Sequence, residues 1–504
     1  MNINYIKEIN ESRVYDVAEK TPVSLLNKIS AKYNNTIYLK REDLQPIFSF
    51  KCRGAYNKIS SLSSIDTDKG IIAASAGNHA QGVALSASKL RIDAMIVMPT
   101  TTPSIKIESV KKFGVKVKLY GDSFDEAYEY ALEVSNNEGR VFIHPFDDPL
   151  VIAGQGTVAK EIVEQSEEAP DIFFIPVGGG GLISGMSMYL KEHYPNIKVY
   201  GVESEDAPTL FTSLRNGKPT SLDQVGLFVD GCAVKRIGEE TFRISKKYVD
   251  DVILVSIDET CAAIKDIYED TRVMSEPAGA LSIAGMKKFI ANNNVKNKKI
   301  MAVNSGANLN FDRLRHVTER AEIGEGKELL ISVKIPEESG SFRKFCEVIG
   351  KRSISEFNYR YANEKSANVF VGIKTDNIEK DTKCIFDDLK ENKYNFIDLT
   401  QDEVAKLHLR YMVGGKPSSI INEKLFRFEF PEKPGALLNF LNKMREDWDI
   451  TLFHYRNHGS AFGRVLVGIN IGNHSKENLD EFLLDLDYKY TDETDNQGYN
   501  SFLK

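Results

Sequence analysis

Ile172-Phe173-Phe174-Ile175-Pro176-Val177-Gly178-Gly179-Gly180-Gly181-Leu182 is the stretch that decides the fold of this chain. The apolar run Ile172 to Val177 reads as a strand, and the amphipathic stretch Leu182 to His193 reads as a helix. Four glycines form the turn between them. Without Cβ atoms the backbone can close on a ligand. The helix that follows turns its free N–H groups and positive dipole end on the same spot. Packing at a strand-to-helix turn asks for one or two glycines. Four in a row therefore predict a phosphate site.

The same alternation extends on both sides, from about Thr21 to Thr318. Ile71 to Ala74 precedes a helical pattern at Asn78 to Leu90. Ala94 to Met98 precedes Ser104 to Phe113, and Val115 to Tyr120 precedes Ser123 to Val134. Further apolar runs follow at Lys198 to Val202, Val252 to Ile257 and Lys299 to Val303. Short apolar runs joined by helices predict an α/β unit on a parallel sheet, with its binding rim at the strand C-termini.

Past about Ala321 the strands alternate apolar with polar, at Glu328 to Ile335 and Leu425 to Phe430, and an internal repeat emerges. Pro336-Glu337-Glu338-Ser339-Gly340 is echoed by Pro431-Glu432-Lys433-Pro434-Gly435. Phe357-Asn358-Tyr359-Arg360 is echoed by Phe453-His454-Tyr455-Arg456. Val369 to Ile373 is echoed by Val465 to Ile469. The register moves by one residue after the first echo. Three echoes in one order predict a duplicated βαββ-type unit, a paired module and not a solenoid. Thr400 to Lys424, with Gly414-Gly415-Lys416-Pro417, reads as the linker between copies.

With 504 residues the chain has room for about three domains. Its net charge of −7 argues against a broad nucleic-acid surface. The eight histidines include no HExxH pair, and the five cysteines no CxxC, so neither a metal site nor a disulfide frame is expected. A reducing cytosol fits. No secretory signal and no apolar run of membrane-spanning length is expected.

Three cofactors compete for the glycine loop. No Gly-Lys pair in the chain is followed by Ser or Thr, so a P-loop is excluded. A dinucleotide site keeps some support from spacing, with Glu203 as the acid after the next strand, although Ser184 stands where the last glycine should be. Pyridoxal phosphate needs a lysine besides its phosphate loop. Lys51, in Ser49-Phe50-Lys51-Cys52-Arg53-Gly54, is the candidate. Taken alone, a lysine there reads as solvated. Phe48, Phe50 and Cys52 around it would desolvate its amine and lower its pKa, and Lys40 and Arg41 lie close upstream.

Ser49-Phe50-Lys51, the loop Ser75-Ala76-Gly77-Asn78-His79-Ala80-Gln81-Gly82, the tetraglycine and Ser305-Gly306-Ala307-Asn308 follow one another in that order. Together they resemble the signatures of fold-type II pyridoxal-phosphate enzymes, the tryptophan synthase β family. More narrowly the chain resembles the serine/threonine dehydratases. With its duplicated tail it is similar, end to end, to the biosynthetic threonine deaminases (threonine ammonia-lyases). The resemblance implies an α/β, fold-type II catalytic domain with parallel sheets over residues 1–320, followed by two α+β ACT-like regulatory domains, βαββαβ modules, at 328–400 and 424–496.

The same resemblance implies roles. Lys51 carries the pyridoxal 5′-phosphate as a Schiff base and removes the substrate α-proton. Gly178, Gly179, Gly180, Gly181 and Leu182 hold the phosphate. Asn78 faces the 3′-oxygen, although by its position it also reads as a helix N-cap. Ser305, otherwise a turn serine, faces the pyridine nitrogen. Ser75, Ala76 and Gly77 receive the substrate carboxylate. A serine at the ring nitrogen weakens the electron sink and so favours β-elimination over transamination. Glu276 lines the rim with its role open, and His79 reads as packed or capping. Tyr359 and Tyr455, equivalent in the two copies, are the candidate isoleucine contacts, with valine opposing; on chemistry alone they read as half-buried strand residues. The implied substrate is L-threonine, with L-serine also accepted, giving 2-oxobutanoate and ammonia at the first step of isoleucine synthesis. A cytoplasmic homotetramer is implied, without metal, nucleic acid or membrane. L-serine dehydratase, serine racemase and a catalytically silent amino-acid sensor remain as alternatives.

Overall fold

The computed structural model describes residues 3–336, 341–350, 352, 354–363, 366–411, 422–431, 439–440, 443–444, 448–456, 462–471, 476–486 and 488–502. They divide into two compact units, Met1–Val317 and Thr318–Lys504.

The first unit holds two sheets, as the fold-type II resemblance implies. The smaller has four parallel strands, Lys116–Leu119, Ala94–Met98, Ile71–Ala74 and Val141–Phe142 in spatial order. The larger has six, ordered Val23–Leu25, Thr36–Arg41, Lys299–Asn304, Ile172–Pro176, Lys198–Ser204 and Asp251–Val255. Only the first of these runs antiparallel. The last strand in sequence, Lys299–Asn304, inserts between Thr36–Arg41 and Ile172–Pro176. The loops following these three strands therefore leave the sheet side by side at one edge. That edge receives residues 42–51, 305–308 and 178–181, the natural ligand rim of such a sheet.

Local sequence fixes the helices that frame this edge. Ser123 with Glu126, and Ser256 with Glu259, form capping boxes that start Phe124–Glu138 and Ile257–Thr271. Asp148 accepts from the N–H groups of Leu150 and Val151 and, with Pro149 in the first turn, starts Pro149–Gln165. The helix Lys51–Ile59 begins at the candidate lysine. It packs closely on two others: a Cβ at Gly154 would fall 2.7 Å from the Gly54 Cα, and one at Gly82 would fall 2.8 Å from the Lys51 carbonyl oxygen.

A buried ion network pins this helix. Arg53, fully buried, donates to both Glu42 oxygens and to Glu161 Oε1, and Lys40 donates to Glu161 Oε2 at 2.6 Å. Two cations and two carboxylates balance one another in a dry interior. Arg53→Met is expected to leave the buried Glu42 carboxylate without its ion-pair partner and cost about 3–5 kcal/mol. Denaturant unfolding should register this as a lower midpoint, and a midpoint equal to that of the parent would refute the pairing.

In the second unit the duplication is plain. Glu328–Pro336, Ile354–Asn363, Ser366–Lys374 and Asn395–Asp398 form one antiparallel sheet, with helices Ser341–Ile349 and Ile378–Glu391. Glu423–Pro431, Asp449–Arg456, Phe462–Asn470 and Tyr490–Asp492 form a second, with helix Lys476–Leu486. Spatial order is the same in both: second, third, first, fourth strand. The one-residue register change falls between Pro431 and the strand Asp449–Arg456. Leu329, Ile331, Val333 and Ile335 pack on the first copy's helices, and Phe426, Phe428 and Phe430 occupy the matching core of the second.

The opposite faces are not polar throughout, as simple alternation predicts. Leu330 and Phe370 from one sheet share a core with Leu425 and Leu466 at equivalent places in the other. The supposed linker is partly ordered: Glu403–Leu407 is helical, and Val404, Ala405 and Leu409 enter that shared core. The segments 337–340, 412–421 and 432–435, which carry the Pro-Glu echoes and the Gly-Gly-Lys-Pro stretch, lie outside the described residues.

Candidate active site

Lys51 Nζ donates to the Pro145 carbonyl oxygen at 3.0 Å and lies 5.2 Å from the centre of the Phe50 ring. Burial lowers its pKa to about 8, against smaller opposing influences from Cys232 and Glu276. The direction and its cause, desolvation, are as expected, but of the flanking groups only Phe50 lies at the amine. Phe48 is half exposed, at 51%, with φ +56°. The Cys52 thiol faces Gln45 and the Ser49 carbonyl. Lys40 and Arg41 are spent on Glu161 and Asp43.

The glycine loop adjoins this amine through Pro145 and Phe146. A Cβ at Gly179 would fall 2.2 Å from the Phe146 ring, and one at Gly181 would fall 3.2 Å from Phe146 Cα. A Cβ at Gly178 would meet Cys232 Cα at 3.0 Å. Gly180 has φ +92°, and a Cβ there would meet Thr241 at 2.8 Å. Packing alone thus demands glycine at Gly179 and Gly180 and leaves only tight room at Gly178 and Gly181. What favours a phosphate is the helix Gly181–His193. Its N-cap, Gly180, offers no side chain, so the first-turn N–H groups have no side-chain cap. Thr241 Oγ1 donates to the Gly179 carbonyl and fixes the loop from behind.

The asparagine loop follows the smaller sheet's strand Ile71–Ala74. Helix Asn78–Leu90 starts there, again with a glycine N-cap, Gly77, and no side-chain cap. Asn78 is thus the first helical residue and not the cap. A Cβ at Gly77 would meet nothing within 4 Å. The Gly77 N–H itself donates to Ser75 Oγ at 3.2 Å. Of the two groups proposed for a substrate carboxylate, hydroxyl and amide, one pair is thus engaged internally. His79 is buried, with Nε2 at 2.9 Å from the Ile143 carbonyl oxygen, and burial takes its pKa down to about 3. It is a neutral, packed histidine.

Ser305 is buried at the end of Lys299–Asn304. Its carbonyl accepts from the Phe50 N–H at 3.3 Å, and Ala307 N–H donates to the Phe48 carbonyl at 2.9 Å. The lysine loop and the Ser305 loop are therefore laced together by backbone bonds. Asn78 Nδ2 donates to Glu276 Oε1 at 2.7 Å and Asn308 Nδ2 donates to Asn78 Oδ1 at 2.7 Å. Lys51, Asn78, the tetraglycine with Leu182, and Ser305 thus join one hydrogen-bonded and packed neighbourhood. Tyr359 and Tyr455 belong to the second unit, at matching registers opposite Val369 and Val465. Their side chains lie outside the described residues.

Sequence reasoning missed Pro145, Phe146, Cys232 and Asp230. Val141–Phe142 is a two-residue strand, too short to be read from periodicity, although Asp148-Pro149 marks the helix that follows. Asp230 accepts from Lys106 at 2.6 Å and pairs with Arg313 at 3.4 Å. Burial would raise its pKa, but these two cations hold it well below the carboxylate range.

Glu203 is overturned as a ribose ligand. It is fully buried and its two oxygens accept from the N–H groups of Leu210 and Phe211. Burial raises its pKa from 4.5 to about 8. The folded state therefore holds a proton that the unfolded chain has already lost, and stability is lost as pH rises from about 4.5 through 8. Glu203→Gln should remove ~2–4 kcal/mol of that pH-dependent loss. Unfolding midpoints between pH 5 and 9 test this; an unchanged slope would count against it.

Residues 14–306 match the family of pyridoxal-phosphate dependent enzymes, and residues 319–409 and 414–503 match the C-terminal regulatory domain of threonine dehydratase. The biosynthetic L-threonine dehydratase of Pasteurella multocida is 50% identical over 501 residues, covering 99% of this chain and 97% of that protein. Among solved structures, the processed form of threonine deaminase isoform 2 from Solanum lycopersicum is 48% identical with a TM-score of 0.62, covering 63% of this chain and 92% of that one. Maize serine racemase is 32% identical with a TM-score of 0.58, covering 63% of this chain and 96% of that one.

Proposed function

We propose a function on one premise: the chain belongs to the biosynthetic threonine dehydratases, a family of pyridoxal-phosphate-dependent lyases. Its reaction is the deamination of L-threonine to 2-oxobutanoate and ammonia, the first step toward isoleucine. The residues present fit the cofactor. There is a buried amine at Lys51, an uncapped helix N-terminus after the glycine loop, open space facing Gly77, and an amide N–H on Asn78 with no partner among the described residues. When bound, the cofactor supplies the electron sink that lets an amino acid's Cα–H bond break near neutral pH.

The chain's own residues do the rest. Lys51 would hold the cofactor by its aldehyde carbon, and its amine is the base that would take the proton from the substrate Cα. Its lowered pKa makes the neutral amine accessible close to physiological pH. The N–H groups of Gly178 to Leu182 receive the phosphate. The Ser305 hydroxyl would meet the ring nitrogen, to which it could offer a hydrogen bond but not a full proton. Departure of the β-hydroxyl is then favoured over outcomes that need a long-lived carbanion. The substrate carboxylate is received at the Asn78–Leu90 helix N-terminus by Ser75 Oγ, the Ala76 N–H and Gly77, whose N–H turns from Ser75 to the ligand.

Isoleucine inhibits and valine opposes it by binding the duplicated unit, with Tyr359 and Tyr455 as contacts. Support comes from their matching registers in two modules that share a core. An effector shifts activity only by binding one state better than the other. The active form is a homotetramer in a reducing cytosol, in keeping with free Cys52, Cys232, Cys261 and Cys384. L-Serine is a second substrate.

The observation that carries this reading is that hydrogen bonds and packing link the lysine, asparagine, glycine and serine loops into one neighbourhood, in a chain related to threonine dehydratases along its whole length. Likeness to serine racemase stops at the catalytic part. Product analysis decides between them: 2-oxobutanoate from L-threonine is expected to dominate. D-Serine from L-serine as the main product would reverse the assignment.

A further inference from the structure

Asn78, Glu276 and Asn308 close a ring of hydrogen bonds that joins three of the site's loops. Asn308 Nδ2 donates to the Ile47 carbonyl oxygen at 2.8 Å and to Asn78 Oδ1 at 2.7 Å. Asn78 Nδ2 donates to Glu276 Oε1 at 2.7 Å. Glu276 Oε2 accepts from the backbone N–H of Asn308 at 3.1 Å.

Both ends of this circuit are backbone groups of fixed polarity. The Ile47 carbonyl can only accept, and the Asn308 N–H can only donate. The direction of every bond between them follows. Asn308 must turn its nitrogen to Ile47, so the same nitrogen serves the Asn78 oxygen. Asn78 then has only N–H groups to offer Glu276. A reversed Asn78 amide would set its oxygen against a carboxylate and its nitrogen against another NH2. The arrangement leaves one Asn78 N–H uncommitted among the described residues.

Glu276 is also built into the neighbouring turn. Its own N–H donates to the Gly306 carbonyl at 3.2 Å, and a Cβ at Gly306 would fall 2.4 Å from Oε1. Burial, followed by the charge of Asp230, pushes its pKa up to about 7, while the donors from Asn78 and Asn308 pull it down. A carboxylate is what two converging donors require. A glutamine could accept from one and would present an N–H to the other.

Resting on the cofactor reading above, we infer that Glu276 is a positioning residue: with Asn308 it locks the Asn78 amide so that a donor N–H, and not the carbonyl, meets the cofactor's ring oxygen. Glu276 touches neither substrate nor cofactor in this role. Its effect passes through Asn78.

The test compares binding of pyridoxal phosphate and of its 3-deoxy analogue, which lacks that ring oxygen, to wild-type and Glu276→Gln apoprotein. Pyridoxal phosphate is expected to bind the variant about tenfold more weakly. The analogue should bind both proteins within twofold, because Asn78 has no oxygen to meet. The pH at which the bound cofactor's visible band changes should also move in the variant with pyridoxal phosphate. Equal losses for both ligands, or no loss for either, would overturn the inference. If Glu276→Gln does not fold, Asn308→Ala carries the same comparison with the same expectation. If neither variant folds, the ring is a structural clamp only and the inference fails. Wild-type protein that binds the analogue but not pyridoxal phosphate would contradict the ring-oxygen contact alone, whereas binding of neither would remove the cofactor reading itself.

Discussion

Lys51→Ala is expected to lose threonine deamination by ~10⁴-fold or more, while keeping its fold and its ability to take up cofactor reversibly. The size of the loss follows from two jobs in one side chain. The amine is the covalent anchor, and it is the base that removes the α-proton; a positioned base alone contributes ~10²–10⁴. No other amine among the described residues is placed to replace it. Lys40 is buried against Glu161, and Lys106 is engaged by Asp230. The stability cost should be small, because the Lys51 Nζ makes a single hydrogen bond, to Pro145. Ammonia release, visible absorbance and the thermal midpoint measured together separate these effects. Turnover within tenfold of wild type would remove Lys51 from the chemistry.

The second large effect is on control. A protein ending at Ala321 is expected to deaminate threonine within about threefold of the full chain and to ignore isoleucine. The first unit has its own apolar cores, one around Phe173, Ile175, Ile183 and Val303 and another around Ile71, Ile96 and Val83, drawn entirely from residues before 318. Allosteric couplings are typically worth 5–150-fold in affinity, so loss of inhibition should be unmistakable in a rate assay over an isoleucine series. Inhibition that survives truncation would put the effector site in the catalytic unit.

The sequence was most readable where chemistry coincides with local punctuation. Strand, glycine turn and helix at 172–193, and the strands and helices at 71–90 and 94–98, stand within a residue of the elements the periodicity predicts. The echo between Tyr359 and Tyr455 correctly marks two copies of one sheet. What sequence could not reveal is long-range. Nothing local says that Lys299–Asn304 slips between Thr36–Arg41 and Ile172–Pro176, yet this insertion brings Ser305 to Lys51. Inference from nearest sequence neighbours failed for the same reason. Lys40 and Arg41 look like company for Lys51, but their charges are consumed elsewhere. The true neighbours, Pro145 and Phe146, are nearly a hundred residues away behind a two-residue strand. Nor does the sequence tell that Phe146 and Thr241, both remote along the chain, claim the space a Cβ would need at Gly179 and Gly180.

The central claim is a covalent bond between the 51 side chain and the cofactor. Borohydride reduction of the holoprotein, followed by peptide mass mapping, tests it most directly. One pyridoxyl-phosphate label on Lys51 is the result this account requires. A label on another lysine, or holoprotein that reduction leaves unlabelled, would contradict it.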